Sequence, residues 1–375
     1  MRNYTIGRVW DIPIRVNISL LVFLPVLAWL IGSGTQIEVY TSYINTFAPT
    51  ALDPATLQAG NTPWIVGVGA AVALFTSVAI HELGHSWAAM RYGIQTESIT
   101  LWILGGLAAL SEMPKEWNRE LWIALAGPVT SVLVAAAAYL VVLVLPASTP
   151  ILAFVFGWAV VTNLLLAVFN MLPAFPMDGG RVLRALLARS QPYPVATRRA
   201  ARVGTLFAVG FAVVGVLSFS PMMLLLALFV YGAATSESRT VALDAALEGL
   251  TVRDVTTVEK PTIDADASLN EFVDELMRTR KQLFLVEEHG RVVGTVSMAD
   301  LQRASKIDRE AMRVSDVMVT DHPRLTPDDD AFEALATLAG DRRGVAFVEV
   351  DDETVGAVTR EDFTELLSFQ KEFVA

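Results

Sequence analysis

Cysteine is absent from the chain. No disulfide can brace the fold and no thiolate can hold a metal, so any metal site must be built from histidine and carboxylate. Histidine is also scarce, with 4 in the chain, at positions 81, 85, 289 and 322. Positive charge is in deficit, with 28 Lys and Arg against 39 Asp and Glu and a net charge of −11. An acidic surface of that kind excludes nucleic acid as a partner. What is present is apolar. Hydrophobic residues make up 53% of the 375, the mean hydropathy is +0.49, and the apolar positions gather in long runs. That is the composition of a polytopic membrane protein. The charge is unevenly divided. Residues 1–249 hold 13 basic and 12 acidic side chains, leaving 28−13 = 15 basic and 39−12 = 27 acidic for the remainder. A nearly neutral membrane half therefore precedes an acidic soluble half.

Residues 1–16 alternate apolar and polar positions around Arg2, Arg8 and Arg15, which fits a short strand. Residues 17–31 read as a first span rather than a secretory signal, because no small-x-small cleavage site is evident and further spans follow. Residues 32–63 carry Glu38 and Asp53 but no Lys or Arg, as expected of an outside loop. Residues 64–90 form a second span. The run at 99–110 is too short to cross and is broken by Gly105-Gly106, so a strand hairpin or re-entrant element is expected there. Residues 121–145 and 151–172 are two more spans. Residues 203–219 and 221–236 are each shorter than the roughly 20 residues of a full crossing, which leaves open whether they make two spans. Arg181, Arg184, Arg189, Arg198, Arg199 and Arg202, with no acid among them, mark a cytoplasmic segment. The expected protein is a multi-pass, six-span protein of the cell membrane with both termini in the cytoplasm.

The ionisable side chains between Trp64 and Met90 are His81, Glu82 and His85 alone. Ionisable groups at membrane depth are costly and face a cavity or one another. Four residues apart on a helix, two imidazoles share a face and can reach one Zn²⁺, with Glu82 beside the attacking water. A catalytic zinc takes three protein ligands and keeps one open position. His289 and His322 lie in the soluble half, so the third ligand is expected to be a carboxylate. Asp178 is the best placed, after a span broken by Pro173 and Pro176 and before Gly179-Gly180. Taken alone, Asp-Gly-Gly also suits a turn at a helix end. Asn170 either hydrogen-bonds the substrate carbonyl or ties helices together, a duty that Asn163 could share.

His81-Glu82-Leu83-Gly84-His85 in one span, with N-x-L-P-x-x-P-x-D-G-G over residues 170–180, resembles the site-2 protease family of intramembrane zinc metalloproteases. Gly127-Pro128 and Gly105-Gly106 also look like that family, and the resemblance covers roughly residues 5–236. It implies that His81, His85 and Asp178 are zinc ligands and Glu82 the general base. The implied activity is cleavage of membrane-spanning segments of other proteins, in the lipid bilayer. A substrate helix must unwind to be cut, and residues 99–110 could offer it a strand edge.

The soluble half carries a duplication. Val252-Arg253-Asp254-Val255 matches Val314-Ser315-Asp316-Val317, Pro261 matches Pro323, and the segment from Val293 matches that from Val355, at a constant offset of 62 (314−252, 323−261, 355−293). The repeated unit resembles a tandem pair of CBS domains. That resemblance implies an adenine nucleotide contacted by Gly294, Ser297 and Asp300 and by Gly356, Thr359 and Asp362. Helix N-capping without a ligand is the alternative. The expected architecture is a polytopic α-helical membrane domain with short strands near the active site, residues 1–240, then an α/β CBS pair, residues 250–308 and 312–375. A homodimer through the CBS pair is an open alternative to a monomer. Two other functions share this layout, a CBS-regulated channel or transporter and a zinc-binding sensor without peptidase activity, but the first leaves the paired motifs without a task.

Overall fold

The computed structural model describes residues 3–103, 105–112, 114–256, 260–303, 312–351 and 353–373. The chain divides into two compact units, Met1–Thr240 and Val241–Ala375.

The first unit opens with a hairpin of β1 (Asn3–Val9) and β2 (Ile12–Asn17). Trp10 and Asp11 between them take left-handed φ angles of 51° and 64°, the geometry of a tight two-residue turn. The alternation in residues 1–16 is thus two strands. Helix α1 (Ile18–Gly32) is capped by the Asn17 side chain, which accepts from the Ser19 amide. The chain breaks at Ser33 and bends by 71° into α2 (Gly34–Ile44). Residues 34–44, expected in a loop, are helical because Ile37, Thr41 and Ile44 recur at helical spacing. Ile37 and Ile44 pack with Phe154 and Trp158 from a later span.

After the short α3 (Pro54–Leu57), α4 (Thr62–Arg91) carries the H-E-x-x-H sequence. Its 30 residues span about 45 Å at the helical rise. It ends where Gly93 takes a φ of 82°, as helix C-termini commonly do. The expected hairpin follows as β3 (Thr96–Trp102) and β4 (Gly105–Leu110). β3 also pairs in parallel with β2, Ile14 opposite Ile99, so the sheet order is β1-β2-β3-β4 and β4 is an edge. Ile12, Val16, Ile99 and Leu101 seat this sheet on Leu20 of α1 and on Phe75 and Val78 of α4. The sheet is thereby fixed one turn from Glu82.

The remaining helices are α5 (Trp117–Val144), α6 (Pro150–Asn170), α7 (Asp178–Ala188), α8 (Tyr193–Leu217) and α9 (Pro221–Leu247). Among the described residues five helices are long and apolar enough to cross a bilayer, or six if the bent α1–α2 pair is one span. α8 and α9 have 25 and 27 residues, enough for full crossings. Their apolar runs read short because α8 begins with the turns bearing Arg198, Arg199 and Arg202, and α9 ends with those bearing Glu237, Arg239 and Asp244. Trp64, Val68, Leu133, Leu165, Leu206 and Leu228 stay exposed on these helices, the surface a bilayer would cover.

In the second unit α10 (Val252–Val255), β5 (Thr262–Asp264), α11 (Leu269–Thr279), β6 (Leu283–Glu288), β7 (Arg291–Ser297) and α12 (Met298–Arg303) precede a second set. That set is a 3-10 turn (Val314–Asp316), β8 (Arg324–Leu325), α13 (Ala331–Gly340), β9 (Val345–Val350), β10 (Glu353–Thr359) and α14 (Arg360–Phe373). The starts at Thr262 and Arg324, Leu269 and Ala331, Leu283 and Val345, Arg291 and Glu353, and Met298 and Arg360 all differ by 62. Each set forms a three-stranded sheet, β5-β6-β7 or β10-β9-β8. The leading segments exchange places. Val252 and Val255 lie in the core with Ala331, Ala334 and Leu338, whereas Val314 lies with Leu269, Phe272 and Phe284. The Val252 amide donates to the Asp329 carbonyl and the Val314 amide to the Ala267 carbonyl, each at 2.9 Å. Residue 308, the expected end of the first repeat, lies outside the described residues.

Candidate metal centre

His81 and His85 project from one face of α4, and Asp178 is the first residue of α7. All three are buried, with relative exposures of 4%, 5% and 7%. Asp178 Oδ2 lies 3.2 Å from Nε2 of both imidazoles, and the two Nε2 atoms are 3.2 Å apart. The second ring nitrogens are engaged elsewhere. His85 Nδ1 is 2.7 Å from the Ile123 carbonyl, which can only accept. Nδ1 therefore carries the proton and Nε2 keeps its lone pair. His81 Nδ1 is 2.9 Å from Ser131 Oγ, and donating to that hydroxyl gives the same tautomer.

Two imidazole lone pairs and a carboxylate oxygen thus converge in a buried site. A tetrahedral ion with bonds of about 2.0–2.1 Å needs its ligand atoms about 3.3 Å apart, close to the separations here. Among the described residues this is the one group of three or more His or carboxylate side chains arranged to hold a metal ion. Glycine makes the approach possible. A Cβ on Gly127 of α5 would run into both rings, and one on Gly84 of α4 would meet Thr130 Oγ1 and the Ala126 carbonyl of α5. A Cβ on Gly179 or Gly180 would collide with backbone atoms of residues 171–175, so both residues let α7 start close against the loop before it.

Glu82 is half-buried. A Cβ on Gly106 would lie 2.8 Å from Glu82 Oε1, so the backbone of edge strand β4 passes directly against this carboxylate. Asn170 is half-buried at the end of α6. The helix-tying duty falls to Asn163, whose Nδ2 donates to Ser77 Oγ of α4 and to the Ala159 carbonyl, both at 2.8 Å. Ile123, Gly127 and Ser131, all on α5, orient the rings. A serine in an apolar span and a Gly-Pro pair within it were the available signals. Arg184 sits in the basic run yet is fully buried.

The six CBS residues sit at equivalent places in the two repeats. Asp300 accepts from the Ser297 amide and hydroxyl at 3.0 and 2.6 Å and pairs with Arg343. Asp362 accepts from the Thr359 amide and hydroxyl at 2.8 and 2.9 Å and pairs with Lys260. Each carboxylate, in the first turn of its helix, thus accepts from the residue that precedes the helix. Gly294 packs on Met318 and Val319, and a Cβ on Gly356 would meet open space.

The family model for peptidase family M50 matches residues 69–154 and 146–212. A zinc metalloprotease of Methanocaldococcus jannaschii is 32% identical over 79% of this chain and 84% of that protein. The chain belongs to peptidase family M50. Rip3 of Mycobacterium tuberculosis is 29% identical to this M50 peptidase over 96% of the chain and 92% of the relative. A solved site-2 protease from M. jannaschii aligns with a TM-score of 0.42 at 32% identity, covering 64% of this chain and 96% of that one. The CBS domain model matches twice, over residues 252–307 and 314–368. This M50 peptidase is a membrane metalloprotease of the site-2 type with a CBS pair.

Proposed function

We propose that this peptidase uses one zinc ion to hydrolyse peptide bonds in or beside the transmembrane segments of other membrane proteins. The carrying observation is the buried cluster of His81, His85 and Asp178, with three donor atoms at mutual 3.2 Å separations, two of them from an apolar helix. Zinc held there supplies a Lewis acid and brings the pKa of a water near 7. Glu82 takes the proton from the attacking water as its oxygen bonds to the carbonyl carbon. It returns that proton to the leaving amine as the C–N bond breaks. Asn170 donates to the carbonyl oxygen as negative charge builds on it. Edge strand β4 pairs with the unwound substrate and brings the scissile bond to Glu82. Arg91 and the basic residues at the start of α8 keep both termini in the cytoplasm.

Glu82→Gln separates this reading from a zinc-binding sensor. The variant should keep its zinc and lose cleavage of a single-span substrate by about 10²–10⁴-fold, the range for a general base. Retained cleavage would refute the assigned base, and zinc-free protein would refute the assigned ligands.

The CBS pair is the proposed regulatory half, with an adenine nucleotide as its ligand. A cleft of about 70 Å³ bounded by Lys260, Lys281, Thr359 and Asp362 marks one such place. It is small beside the roughly 300 Å³ at which ligand pockets begin, so nucleotide binding here requires the cleft to widen.

A further inference from the structure

We infer that Arg184 and Glu120 form a positioning pair that registers the Asp178 helix against the face of α5 on which the two imidazoles rest. The inference deepens the zinc-site reading and rests on it. Glu120, Ile123, Gly127 and Ser131 follow one another on α5 at intervals of three, four and four residues, which places them in one stripe. Ile123 and Ser131 fix the second nitrogens of His85 and His81, and Gly127 leaves space for both rings. The fourth residue of the stripe, Glu120, is buried and accepts from Arg184 Nε at 2.7 Å. Arg184 lies six residues after Asp178 on α7. One helix face therefore orients both histidine ligands and grips the helix of the third.

The surroundings of Arg184 leave it little freedom. It has no exposed surface. Its guanidinium carbon lies 5.0 Å from the Phe175 ring centre and 4.9 Å from that of Tyr193, and a second carboxylate, Glu237 of α9, binds Nη1. Arg181 also lies within electrostatic reach of Glu120. Burying these charges is costly, and well-packed apolar side chains often stabilise such a core as well or better. Directional bonds from a rigid fork provide something apolar packing does not, a fixed rotation and height for α7. Asp178 Oδ2 needs both, since it meets two nitrogens at once.

The test uses the purified full-length protein in detergent. Zinc affinity is read by chelator competition, the site by the visible spectrum of the cobalt(II) form, and kcat and KM on a single-span substrate. The variant Arg184→Met with Glu120→Gln and Glu237→Gln removes the three charges together, leaving the half-buried Arg181. Zinc should bind about 10–100-fold more weakly, as when an outer partner of a ligand is lost. The cobalt spectrum should change and kcat should fall with KM unchanged. Arg184→Lys keeps the charge without the fork and should fall between, and it decides the matter if the triple variant does not fold. Wild-type zinc affinity and cobalt spectrum in the deciding variant would overturn the positioning role. A wild-type protein that binds no zinc would instead overturn the metal site itself.

Discussion

A buried imidazole is useful to a metal only if something else holds its second nitrogen. Here a carbonyl and a hydroxyl from α5 do so, and outer contacts of this kind set ring orientation and basicity. His81 and His85 stood out in the sequence because ionisable groups in an apolar run need a reason to be there, and Asp178 because a carboxylate follows a span broken by two prolines; the structure brings the three together. Ser131 was not, since one hydroxyl in an apolar helix usually bonds its own backbone. Arg184 was misleading, because it reads as one more positive surface charge and is instead, among the described residues, the largest fully buried side chain. His322 in the soluble unit carries a residue-scale prediction. Its Nε2 is 2.8 Å from Thr295 Oγ1 and its ring stands edge-on to Phe347. Burial pushes its pKa below the usual histidine value, helped by Arg343, against the upward pull of Asp341, Asp300 and Asp321. The folded state therefore takes up a proton less readily than the unfolded one. Stability from this group is present above the unfolded value of about 6.5 and is lost as pH falls through the folded one. Calorimetry of wild type and His322→Gln between pH 7.5 and 5 should show a steeper fall in wild type. Equal slopes would exclude His322 as the source.

At the scale of elements, β4 joins fold and chemistry. It is an edge of its sheet, and its Gly106 lies against the Glu82 carboxylate. The hairpin was readable because its apolar run is too short to cross and contains paired glycines. The parallel β2–β3 pairing was not, since its partners are separated by four helices. Neither was α2, whose polar composition hid its helical spacing. Backbone groups of neighbouring residues on a strand point to opposite sides, so of Leu107 and Ala108 one faces β3 and the other the open edge. Proline at the open-edge position removes an outward donor and spares the ladder. Cleavage of a transmembrane substrate should fall at least about tenfold at that position, on the account that strand pairing supplies substrate affinity, with zinc content unchanged. Full cleavage with proline at either position would end the strand-pairing account.

For the whole molecule, a peptidase unit with a near-neutral composition is followed by an acidic, duplicated soluble unit. The duplication was legible because the offset of 62 holds through every strand and helix start. The exchange of leading segments was not, because short matching segments give no sign of which core each will enter. Through that exchange each repeat's core includes a segment of the other. Adenine nucleotide should raise the melting temperature of the full chain, by the linkage that favours whichever state binds ligand, and change the cleavage rate. Asp362→Ala should reduce both effects, and the absence of either response in wild type would remove the nucleotide from the account.

The most direct measurement is the zinc content per chain of purified wild type and Asp178→Ala, determined by elemental analysis after dialysis against a weak chelator. One equivalent in wild type and its loss in the variant is the predicted result. Wild-type zinc content in Asp178→Ala, or none in either protein, would contradict a centre built from His81, His85 and Asp178.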